Sequence, residues 1–418
     1  MVQLKDDCFA HAGELTLLET ALDELEKTVH PVVGTETVAL TDAVSRVLAE
    51  DVISDRNVPP HDNSAVDGYA AFYDDLSADG DTRLPLGGRV AAGHPLGHAT
   101  KKGEAYRIFT GAPMPDGPDT VFMQEDVQLE GDEVILPAGI KQGANRRFMG
   151  EDVKTGAVIL ARGKHLRPQE IGLAASIGRS QLSVYKRLKV AVFSTGDEVR
   201  DPADDAPEGC IYDANRFTVM GLLGRLGCAV TDLGILKDDV STIKDALGEA
   251  AKDHDLILTS GGVSVGDEDH IRPAVEALGS LHFWRLAIKP GRPIAFGQVA
   301  HTAFVGLPGN PVAAMVTFMR IARTMVLRLA GETDVRTPLY RVCAAFDFKS
   351  NAGRREWLRA RLEMGDDGIY SAHLFPAGGS GVLTSMVASH GLVEVAEDQT
   401  QIKQGDLIEF LPFEHLCP

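Results

Sequence analysis

The chain has 418 residues, with 41 Lys and Arg against 60 Asp and Glu, so its formal net charge is −19. Hydrophobic residues (44%) and charged residues (24%) have the shares usual for globular proteins, which excludes wholesale disorder. The acidic balance argues against nucleic-acid binding, because neutralising phosphates requires a basic face, so any anionic substrate has to be attracted by local structure.

The N-terminal segment has the pattern of an amphipathic helix. Its apolar residues recur near a period of 3.6, at Leu15, Leu18, Leu22, Leu25 and Val29. Thr16 and Glu19 have the spacing of a capping box, and Pro31 follows the predicted end of the helix. A second, short helix is predicted over Asp42–Leu48.

From about Leu84 to Phe148 the pattern changes to short apolar runs separated by Gly and Pro, which is typical of a small β domain. Mixed strand and helix patterns return after this segment. We therefore predict a β domain over residues 56–147, inserted into a discontinuous N-terminal linker and dimer domain of residues 1–55 and 148–186.

Residues 187–330 alternate apolar, strand-like runs with helical stretches, which favours βαβ units and a doubly wound α/β sheet. The predicted helical stretches are Asn215–Leu226, Ser241–Asp253, Asp267–Leu278 and Pro311–Ala330. From Tyr340 onward short strands and Gly-rich turns return, which predicts a C-terminal β domain over residues 331–418. The predicted fold class is therefore multidomain α/β plus β. The length alone would predict about three domains.

Polar and glycine-rich clusters fall where the predicted strands of residues 187–330 end. In chain order they are Ser194–Glu198 (STGDE), Lys237–Asp239, Thr259–Asp269 (TSGGVSVGDED), Lys289–Pro293 (KPGRP) and Gly306–Pro311 (GLPGNP). Ligands of a doubly wound sheet bind at the carboxyl ends of its strands. Each cluster alone is equally well explained as a tight turn, but together they predict a ligand site at one edge of the sheet.

The cluster TSGGVSVGDED is suited to an anion. Gly261, Gly262 and Gly266 let backbone N–H groups approach a phosphate, and a following helix N-terminus adds partial positive charge. The cluster matches neither GxxxxGKS/T nor GxGxxG, which disfavours ATPase and dinucleotide-binding functions. The alternative is that these glycines only permit a tight turn.

Carboxylates and cations accompany these loops. The carboxylates Glu198, Asp239 and Asp269 would repel a bare anion and make chemical sense as ligands of Mg²⁺, which prefers oxygen; the alternative is that they cap helices or lie in first turns. The basic counterpart is Arg285, Lys289 and Arg292, and a spacing of four places the first two on one face of a strand. Arg354 and Arg355 add a guanidinium fork suited to an oxyanion, or else lie solvated at the surface.

Other classes of protein find little support. No GxSxG elbow is present, the histidines lack metal-ligand spacing, and the five cysteines include no CxxC pair. Such scattered cysteines predict free thiols in a reducing cytoplasm. The longest apolar run, near Val312–Met319, is far shorter than the about 20 residues of a membrane span, and the N-terminus lacks a signal-peptide core.

A series of motifs carries a resemblance. They are HDNSAVDGYA, RIFTGAPMPDG, NRRFMGEDV, FSTGDEV, IYDANR, TSGGVSVGDED, FWRLAIKPGRP and GLPGNPV. In this order they resemble the MoeA family of bacterial molybdopterin molybdenumtransferases, which is similar to the gephyrin E domain. The resemblance runs from about residue 15 to the C-terminus and is thinner after Tyr340. It implies an elongated homodimer whose subunit has four domains: the third is a molybdopterin-binding fold and the fourth a small β barrel.

The resemblance implies an enzyme of molybdenum cofactor biosynthesis. The family inserts molybdate into the dithiolene of adenylylated molybdopterin and releases AMP in a Mg²⁺-dependent step. An upstream adenylyltransferase and downstream cofactor-modifying proteins are the protein partners that such a role implies. Two alternatives stay open: the chain itself adenylylates molybdopterin, an activity that uses a similar α/β domain, or it is a non-catalytic, gephyrin-like scaffold.

The resemblance also assigns site residues. The catalytic positions are Asp67, Thr110, Glu198, Asp239 and Asp269, of which the last three are the Mg²⁺ ligands. In the family's dimer, the region of Asp67 and Thr110 of one subunit completes the site formed by the third and fourth domains of the other. Molybdate and substrate positions map to Arg285, Lys289, Arg354 and Ser380. The loops at the carboxyl edge add candidate substrate contacts at Ser194, Thr195, Gly261, Gly262, Ser264, Arg292, Pro308 and Asn310.

The chain departs from the family at several of these positions. The family commonly has Lys where this chain has Arg285 and Arg292, so a planar fork replaces a compact ammonium. Val66 stands where Met is usual, and Cys210 where a polar residue is usual. The arginines change the geometry expected for oxyanion contacts, whereas we expect the other two replacements to be tolerated.

Overall fold

The computed structural model describes residues 15–262, 270–291 and 293–416, with the backbone alone at residues 283–285 and 293. Two compact units divide the chain. The first unit comprises Met1–Glu50, Arg162–Leu166 and Leu182–Pro418, and the second unit comprises Asp51–Ala161 and Arg167–Gln181. The finer division into four domains stays a prediction.

The second unit contains a six-stranded sheet. In spatial order its strands are Thr120–Met123, Gly68–Ala71, Ala105–Ile108, Thr82–Val90, Glu133–Leu136 and Gln128–Glu130. Only strands 82–90 and 105–108 run parallel to each other. Successive side chains face opposite sides, so Tyr69 and Ala71 join one apolar cluster and Ala70 joins another. The β character predicted for this segment is confirmed.

Shorter elements complete the second unit. They are the paired strands Val52–Ile53 and Val158–Leu160, the paired strands Asn63–Ser64 and Arg146–Arg147, the 3₁₀ turns Tyr73–Asp75 and Gln124–Asp126, and the helix Pro168–Ser176. Pro168 occupies the first helical position, where its missing N–H is no loss. The Glu170 carboxylate accepts the backbone N–H of Arg167 at 3.0 Å, which closes one half of a capping box.

The first unit contains the predicted doubly wound sheet. In spatial order its strands are Ala229–Leu236, Lys189–Thr195, Leu256–Ser260, Thr302–Leu307, Pro293–Val299 and Gly279–Arg285. The first four strands are parallel, and the last two are antiparallel to their neighbours. The predicted α/β class is confirmed, and the antiparallel edge adds to it.

Helices cover both faces of this sheet. They are Asn215–Arg225, Val240–Asp253, Ile271–Glu276 and Pro311–Thr317, the last followed directly by a π-helical turn Phe318–Ala322 and the helix Arg323–Leu329. On one face Val190 and Val192 pack with the first and last of these helices, and on the other Ala191 and Phe193 pack with the second and third. The predicted helical stretches are confirmed within the described residues, although only Ile271–Glu276 is helical in the described part of Asp267–Leu278.

The N-terminal helix runs from Leu18 to Thr28 and packs on the first of these two faces. Leu18, Leu22, Leu25 and Val29 are at most 4% exposed, so this part of the predicted apolar stripe is confirmed. Leu15, the first residue of the predicted stripe, lies before the helix and is 39% exposed, so its inclusion is wrong. The predicted capping box is wrong, because Leu17 is the N-cap and makes no side-chain cap. The carbonyl of Thr16 instead accepts the backbone N–H of Ala287 at 2.9 Å, which holds this residue in extended backbone.

The helix predicted over Asp42–Leu48 is also wrong. A 3₁₀ turn covers only Leu40–Asp42, and Ser45 has a φ of 59°, in the left-handed region that interrupts a right-handed helix. Leu48 forms a β-bridge with Val184, and its backbone N–H donates to Lys164 at 2.9 Å. Backbone groups of this segment therefore pair with residues that are distant in the sequence, and the local apolar pattern gave no sign of these partners.

A closed β barrel forms the C-terminal part of the first unit. Its strands are Tyr340–Ala344, Arg355–Met364, Tyr370–Leu374, Gly391–Val395 and Leu407–Pro412. Strand 355–364 pairs with both 370–374 and 391–395, so the ring of strands closes on itself. The predicted small barrel is confirmed.

The remaining elements of the first unit are short. They are the strand pairs Thr35–Ala39 with Gln181–Tyr185, Val199–Arg200 with Ile211–Tyr212, and Phe348–Lys349 with Gln401–Ile402, the strand Ile288–Lys289, and the helices Thr384–Val387 and Phe413–Leu416. Ile288–Lys289 pairs in parallel with the barrel strand 355–364, so it belongs to the barrel and not to the central sheet. In the described part of the chain, no helix is long and apolar enough to cross a membrane.

Candidate functional site

The carboxyl ends of the parallel strands meet at one edge of the central sheet. Ser194 is aligned with Ser260 on one side and with Ile235 on the other, and Ser260 is aligned with Leu307. The loops that follow these strands therefore start side by side. The structure brings together Ser194, Thr195, Glu198, Asp239, Gly261, Gly262, Pro308 and Asn310 at this edge, whereas Ser264 and Asp269 lie outside the described residues.

Hydroxyl groups lie at this edge without ordinary partners. Ser194 is 2% exposed and Thr259 is fully buried, and neither hydroxyl has a hydrogen-bond partner among the described residues. Thr195 differs, since its Oγ1 donates to Asp238 Oδ1 at 3.0 Å. A buried hydroxyl left unpaired costs about 1–3 kcal/mol, a cost that a bound ligand or a water molecule would remove.

Two glycine-containing loops approach each other closely here. Gly261 donates its N–H to the carbonyl of Leu307 at 3.0 Å, and a Cβ on Gly309 would lie 3.6 Å from the Cα of Gly261. Gly262 has a φ of 62°, and a Cβ there would lie 2.6 Å from Ile271 Cδ1. The turn requires glycine at this position whether or not a ligand binds, so the tight-turn interpretation is correct for Gly262. The same geometry leaves bare backbone at the edge.

An open cleft of about 390 Å³ lies at the ends of strands 189–195 and 229–236. This volume falls within the range of about 300–1,000 Å³ that small-molecule sites occupy. The lining residues are Gly196, Asp197, Val199, Arg200, Ile235, Leu236, Lys237 and Asp238. The cleft thus coincides with the predicted ligand edge.

The predicted metal ligands have different surroundings. Asp239 is the N-cap of helix Val240–Asp253, and its carboxylate accepts from Thr242 N at 2.9 Å and Thr242 Oγ1 at 2.8 Å. These hydrogen bonds, the backbone one first, lower the pKa of Asp239. Glu198 is exposed, and its carboxylate makes no hydrogen bond to a residue that the structure describes. Among the described residues no cluster of three His, Cys, Asp or Glu side chains is arranged to hold a metal.

Arg216 anchors the loop that carries Glu198, and sequence reasoning missed it. The guanidinium is 3% exposed; its Nε donates to Asp213 Oδ2 at 3.0 Å, and its two terminal nitrogens bind Asp201 and Asp232. Burial works against the charge, but hydrogen bonds with these three carboxylates outweigh it and raise the pKa of Arg216. Within the motif IYDANR, an arginine three residues after an aspartate was the available signal.

The basic residues do not form the strand face that their spacing predicted. Strand Gly279–Arg285 ends at Arg285, and Lys289 belongs to the short strand that pairs with the barrel. That prediction is wrong because the chain leaves one sheet for another between the two residues. The Lys289 side chain is 61% exposed, and its Nζ donates to the buried Glu356 at 3.0 Å. The side chain of Arg285 and all of Arg292 lie outside the described residues.

The barrel supplies the remaining predicted residues. Arg355 does not offer a fork to an oxyanion, because its guanidinium is paired with Glu19 at 2.6 Å, Glu394 at 3.1 Å and Glu397 at 3.0 Å. The half-buried Arg354 has no ion pair within the described ranges. The carbonyl of Ser380 accepts the N–H of Val312 at 2.9 Å, which brings Ser380 to the start of helix Pro311–Thr317.

The loop before that helix is fixed by backbone contacts. Asn310 is the N-cap residue but makes no side-chain cap. Pro311 occupies the first helical position. Asn215 Nδ2 donates to the carbonyl of Gly309 at 2.7 Å, and this bond ties the loop to the helix Asn215–Arg225. The amide of Asn310 is therefore left available at the edge.

In the second unit the structure brings Asp67 and Thr110 together. The Thr110 N–H and hydroxyl both donate to Asp67 Oδ1, each at 2.8 Å. These bonds, the backbone one first, lower the pKa of Asp67, with a smaller contribution from the charge of Arg107. The Asp67 carbonyl accepts the N–H of Gln124 at 3.0 Å. The carboxylate is thereby held ionised and fixed in orientation.

Three regions of the chain match families of known proteins. Residues 16–178 match the MoeA N-terminal region (domain I and II), residues 191–328 match a probable molybdopterin binding domain, and residues 341–413 match the MoeA C-terminal region (domain IV). Together with the doubly wound sheet and the closed barrel, these matches define the class: a multidomain protein with a molybdopterin-binding domain between MoeA-type regions.

Relatives make the assignment specific. The molybdopterin molybdenumtransferase of Haemophilus influenzae is 38% identical over 404 residues, which cover 96% of this chain and 99% of the relative. That of Nostoc is 33% identical over 384 residues, 89% of this chain and 87% of the relative. The crystal structure of a molybdopterin biosynthesis moeA protein from Pyrococcus horikoshii has a TM-score of 0.80 at 30% identity, covering 96% of this chain and all of that one. The chain belongs to the MoeA family of molybdopterin molybdenumtransferases, and the resemblance carried by its motifs is confirmed.

Proposed function

We propose that this chain acts in molybdenum cofactor biosynthesis by inserting molybdate into the dithiolene of adenylylated molybdopterin, with release of AMP. The observation that carries the proposal is the edge of the central sheet, where the 390 Å³ cleft, the Gly261 and Gly309 loops and the unpartnered hydroxyl of Ser194 lie together. A relative named molybdopterin molybdenumtransferase matches the chain over nearly its whole length. Both the family assignment and the chemistry of this site therefore support the proposed transferase function.

The phosphate-bearing part of the substrate is proposed to bind at this edge. The backbone N–H of Gly262 and the hydroxyl of Ser194 supply donors to an anion without a fixed positive charge, whereas the Gly261 N–H and the Thr195 hydroxyl already donate to Leu307 and Asp238. Ser264 and Arg292, which both lie outside the described residues, are further candidate contacts. Pro308 and Asn310 lie in the facing loop, where the amide of Asn310 is available to a ligand.

Molybdate is proposed to bind to the cations near the barrel. Lys289, 61% exposed, is held by only one hydrogen bond, to Glu356, so two of its three N–H donors are available to an oxyanion. Arg354 carries no ion pair in the described part of the chain. Arg285 and Ser380 complete the proposed set. Cations and hydroxyl donors from separate segments thus give an acidic protein a local anion pocket.

The donor set at the edge fits Mg²⁺. Carboxylate oxygens are the ligands this cation prefers, and the Glu198 carboxylate is exposed and makes no hydrogen bond among the described residues. Asp239 Oδ1 keeps a lone pair beyond its bond to Thr242, whereas Oδ2 also lies 3.6 Å from Lys237 Nζ. We propose that Glu198 and Asp239, with Asp269, would hold it. When bound, Mg²⁺ supplies positive charge against the pyrophosphate of the adenylate.

The assembly is proposed to be a homodimer in the cytoplasm. In it, Asp67 and Thr110 of one subunit complete the site formed by the first unit of the other, with an adenylyltransferase acting before it and cofactor-modifying proteins after it. The lowered pKa of Asp67 supports a role for the ionised carboxylate. Its fixed orientation suits a residue that positions or deprotonates a group at the reacting centre.

The test of the proposal is a defined reaction with purified protein. Wild-type chain, adenylylated molybdopterin, Mg²⁺ and molybdate should yield AMP in proportion to molybdate, and omission of molybdate should suppress the release. A parallel reaction with ATP and non-adenylylated molybdopterin should yield no adenylate. Formation of adenylate in that second reaction would establish adenylyl transfer instead, and failure in both reactions would favour a scaffold.

A further inference from the structure

Two arginines and two aromatic rings alternate in a ladder on the six-stranded sheet of the second unit. The Arg89 guanidinium lies 4.6 Å from the ring centroid of Phe109, and that of Arg107 lies 4.8 Å from the same centroid. Arg107 also lies 4.9 Å from the ring centroid of Tyr69. Phe109 thus contacts two cations, and Arg107 contacts two rings. All three distances are within the range of favourable cation–π contacts.

The strand register builds this ladder. Arg107 is aligned with Arg89 across the parallel pair and with Tyr69 across the antiparallel pair, and Phe109 directly follows the strand that carries Arg107. Directly opposed residues on neighbouring strands present their side chains to the same face. The sheet itself therefore holds Arg107 in place, so little conformational freedom remains to be lost when a ligand binds.

Neither arginine is paired with a carboxylate among the described residues. Arg107 donates to the carbonyl of Gly68 at 3.3 Å and to Gln124 Oε1 at 2.5 Å, which uses two of its five N–H donors. Some arginines of the same unit are paired, namely Arg83 with Glu130, Arg146 with Asp62 and Arg167 with Glu170. Arg56, Arg147 and Arg179 have no carboxylate partner among the described residues either, but the cation–π ladder does not include them. In a chain of net charge −19, two adjacent guanidinium groups without carboxylate partners point to an anion from outside.

Arg107 lines an open cleft of about 520 Å³. Its other lining residues are Tyr69, Gln124, Glu125, Val127 and Leu129. The one carboxylate of this lining, Glu125, is engaged by Gln124 Nε2 at 3.0 Å. The cleft also adjoins the Asp67–Thr110 pair, because Arg107 and Gln124 bond to the backbone of Gly68 and Asp67 respectively.

We propose that Arg107, supported by Arg89, binds a phosphate group of the substrate in this cleft beside Asp67 and Thr110. The proposal rests on the proposed function, which makes the substrate an organic phosphate and has the region of Asp67 and Thr110 of one subunit complete the site at the sheet edge of the other. A planar guanidinium matches two phosphate oxygens at once, and the flanking rings keep its fork in one plane. Arg89 adds a second positive charge at the exposed end of the ladder.

The experiment compares four variants of the full chain: R107Q, R107K, R89Q and, as the matched control, R83Q. Arg83 lies on the same strand as Arg89, is 54% exposed and is paired with Glu130, so its variant removes the same charge from the same sheet. Binding of adenylylated molybdopterin is followed by pterin fluorescence, and kcat and KM are measured for molybdate-dependent AMP release.

We expect R107Q to bind adenylylated molybdopterin about tenfold to a hundredfold more weakly, with kcat changed less than threefold. R107K should recover part of the affinity, because it keeps the charge but not the planar fork. R89Q should weaken binding about twofold to fivefold, because solvent screens the charge of the exposed Arg89. R83Q should weaken binding less than twofold, because Arg83 is remote from the cleft.

Equal affinities of R107Q and R83Q would overturn the proposal, and so would an R107Q variant that changes only the KM of molybdate. If the wild type binds the substrate yet releases no AMP, the proposed function fails, while the binding comparison still decides the Arg107 site. If the wild type turns over and R107Q binds normally, the site fails alone. Near-ultraviolet circular dichroism checks that each variant is folded. If R107Q does not fold, R89Q, which replaces an exposed residue, is compared with R83Q instead, and equal affinities of these two variants would overturn the proposal.

Discussion

Asp67 and Thr110 lie 43 positions apart, yet one carboxylate oxygen of Asp67 accepts both the N–H and the hydroxyl of Thr110 at 2.8 Å. Both bonds favour the charged carboxylate, and the side chain is held without an ion-pair partner among the described residues. An ionised group that is fixed in orientation but not neutralised is suited to act on a substrate. The pair therefore offers two independent tests.

Removal of the Thr110 hydroxyl should shift the acid limb of the pH–rate profile. The T110V variant loses one of two hydrogen bonds that lower the pKa of Asp67, so that pKa should rise toward its ordinary value. Activity should then begin to fall at a higher pH than in the wild type, measured as kcat/KM for AMP release. T110S keeps the hydroxyl and should keep the acid limb of the wild type. If T110V and the wild type have identical acid limbs, Asp67 is not the group whose protonation causes the loss of activity.

Removal of the Asp67 carboxylate should abolish the reaction without unfolding the protein. We expect D67A to lower molybdate-dependent AMP release about a hundredfold or more, the range usual for a lost acid–base group. D79N removes an equal charge from an exposed residue of the same unit and should stay near wild-type rates. D269A should behave like D67A, since Asp269 is a proposed Mg²⁺ ligand. Full turnover by both D67A and D269A would refute the residue assignment.

Asp239 caps a helix and is a proposed Mg²⁺ ligand, and one substitution separates these two roles. Asn caps helices about as well as Asp, so D239N should keep the thermal stability of the wild type, whereas D239A should lower it. If Asp239 is also a Mg²⁺ ligand, both variants should need a higher Mg²⁺ concentration for half-maximal AMP release. If D239N needs the same Mg²⁺ concentration as the wild type, Asp239 caps the helix but is not a Mg²⁺ ligand.

The cap also predicts how stability depends on pH. Because folding lowers the pKa of Asp239, its carboxylate contributes stability above the pKa of the unfolded state, and this contribution disappears as the pH falls through the folded pKa. D239N cannot titrate, so the difference in stability between D239N and the wild type should depend on pH only in the acid range. Thermal unfolding across a pH series measures it.

Arg216, on the helix Asn215–Arg225 that packs on the central sheet, should be among the residues most sensitive to substitution. R216Q leaves Asp213, 3% exposed, without its cation, and loss of one member of a buried ion pair costs about 3–5 kcal/mol. R225Q is the control on the same helix; its pair with Glu414 is exposed and worth about 1 kcal/mol or less. Urea unfolding measures both, and equal losses would contradict the anchoring role. In R216Q protein that remains folded, we also expect a raised Mg²⁺ requirement, because Glu198 lies in the anchored loop.

Gly262 and Gly309 form a second matched pair. Alanine at Gly262 would meet Ile271 and Thr195 at 2.6 and 3.0 Å in left-handed backbone, so G262A should lose about 1–2 kcal/mol of stability and displace Thr195. Alanine at Gly309 would meet Gly261 at an ordinary 3.6 Å, and G309A should retain its stability. A G262A variant as stable as G309A, with unchanged substrate affinity, would show that this turn is not required.

Local patterns predicted the central sheet well for a physical reason. An apolar strand ended by Gly and polar residues, as at Ser194–Glu198, is encoded within a few positions, and parallel strands bring their ends together automatically. The failures share the opposite property. Asp42–Leu48 takes its backbone partners from Lys164 and Val184, and Arg216 takes two of its carboxylates from Asp201 and Asp232. No local spacing records such partners.

The same limit applies to the cations. A spacing of four between Arg285 and Lys289 predicts a shared face only if one strand contains both, and the chain changes sheets between them. The Arg354–Arg355 fork failed at Arg355 because its three carboxylate partners come from Glu19, Glu394 and Glu397. The motif resemblance placed residues such as Asp67 and Thr110 where spacing alone had nothing to offer.

The two-residue strand Ile288–Lys289 has a consequence for how this protein can be divided. Its residues are contiguous with the central domain, but their strand partner is Arg355–Glu356 of the barrel, and the ammonium of Lys289 rests on Glu356. A chain trimmed after the last helix of the central sheet would keep Lys289 in its sequence and lose the surface that holds it. The barrel is thus part of the template on which that lysine is presented, and a minimal version of this protein has to include it.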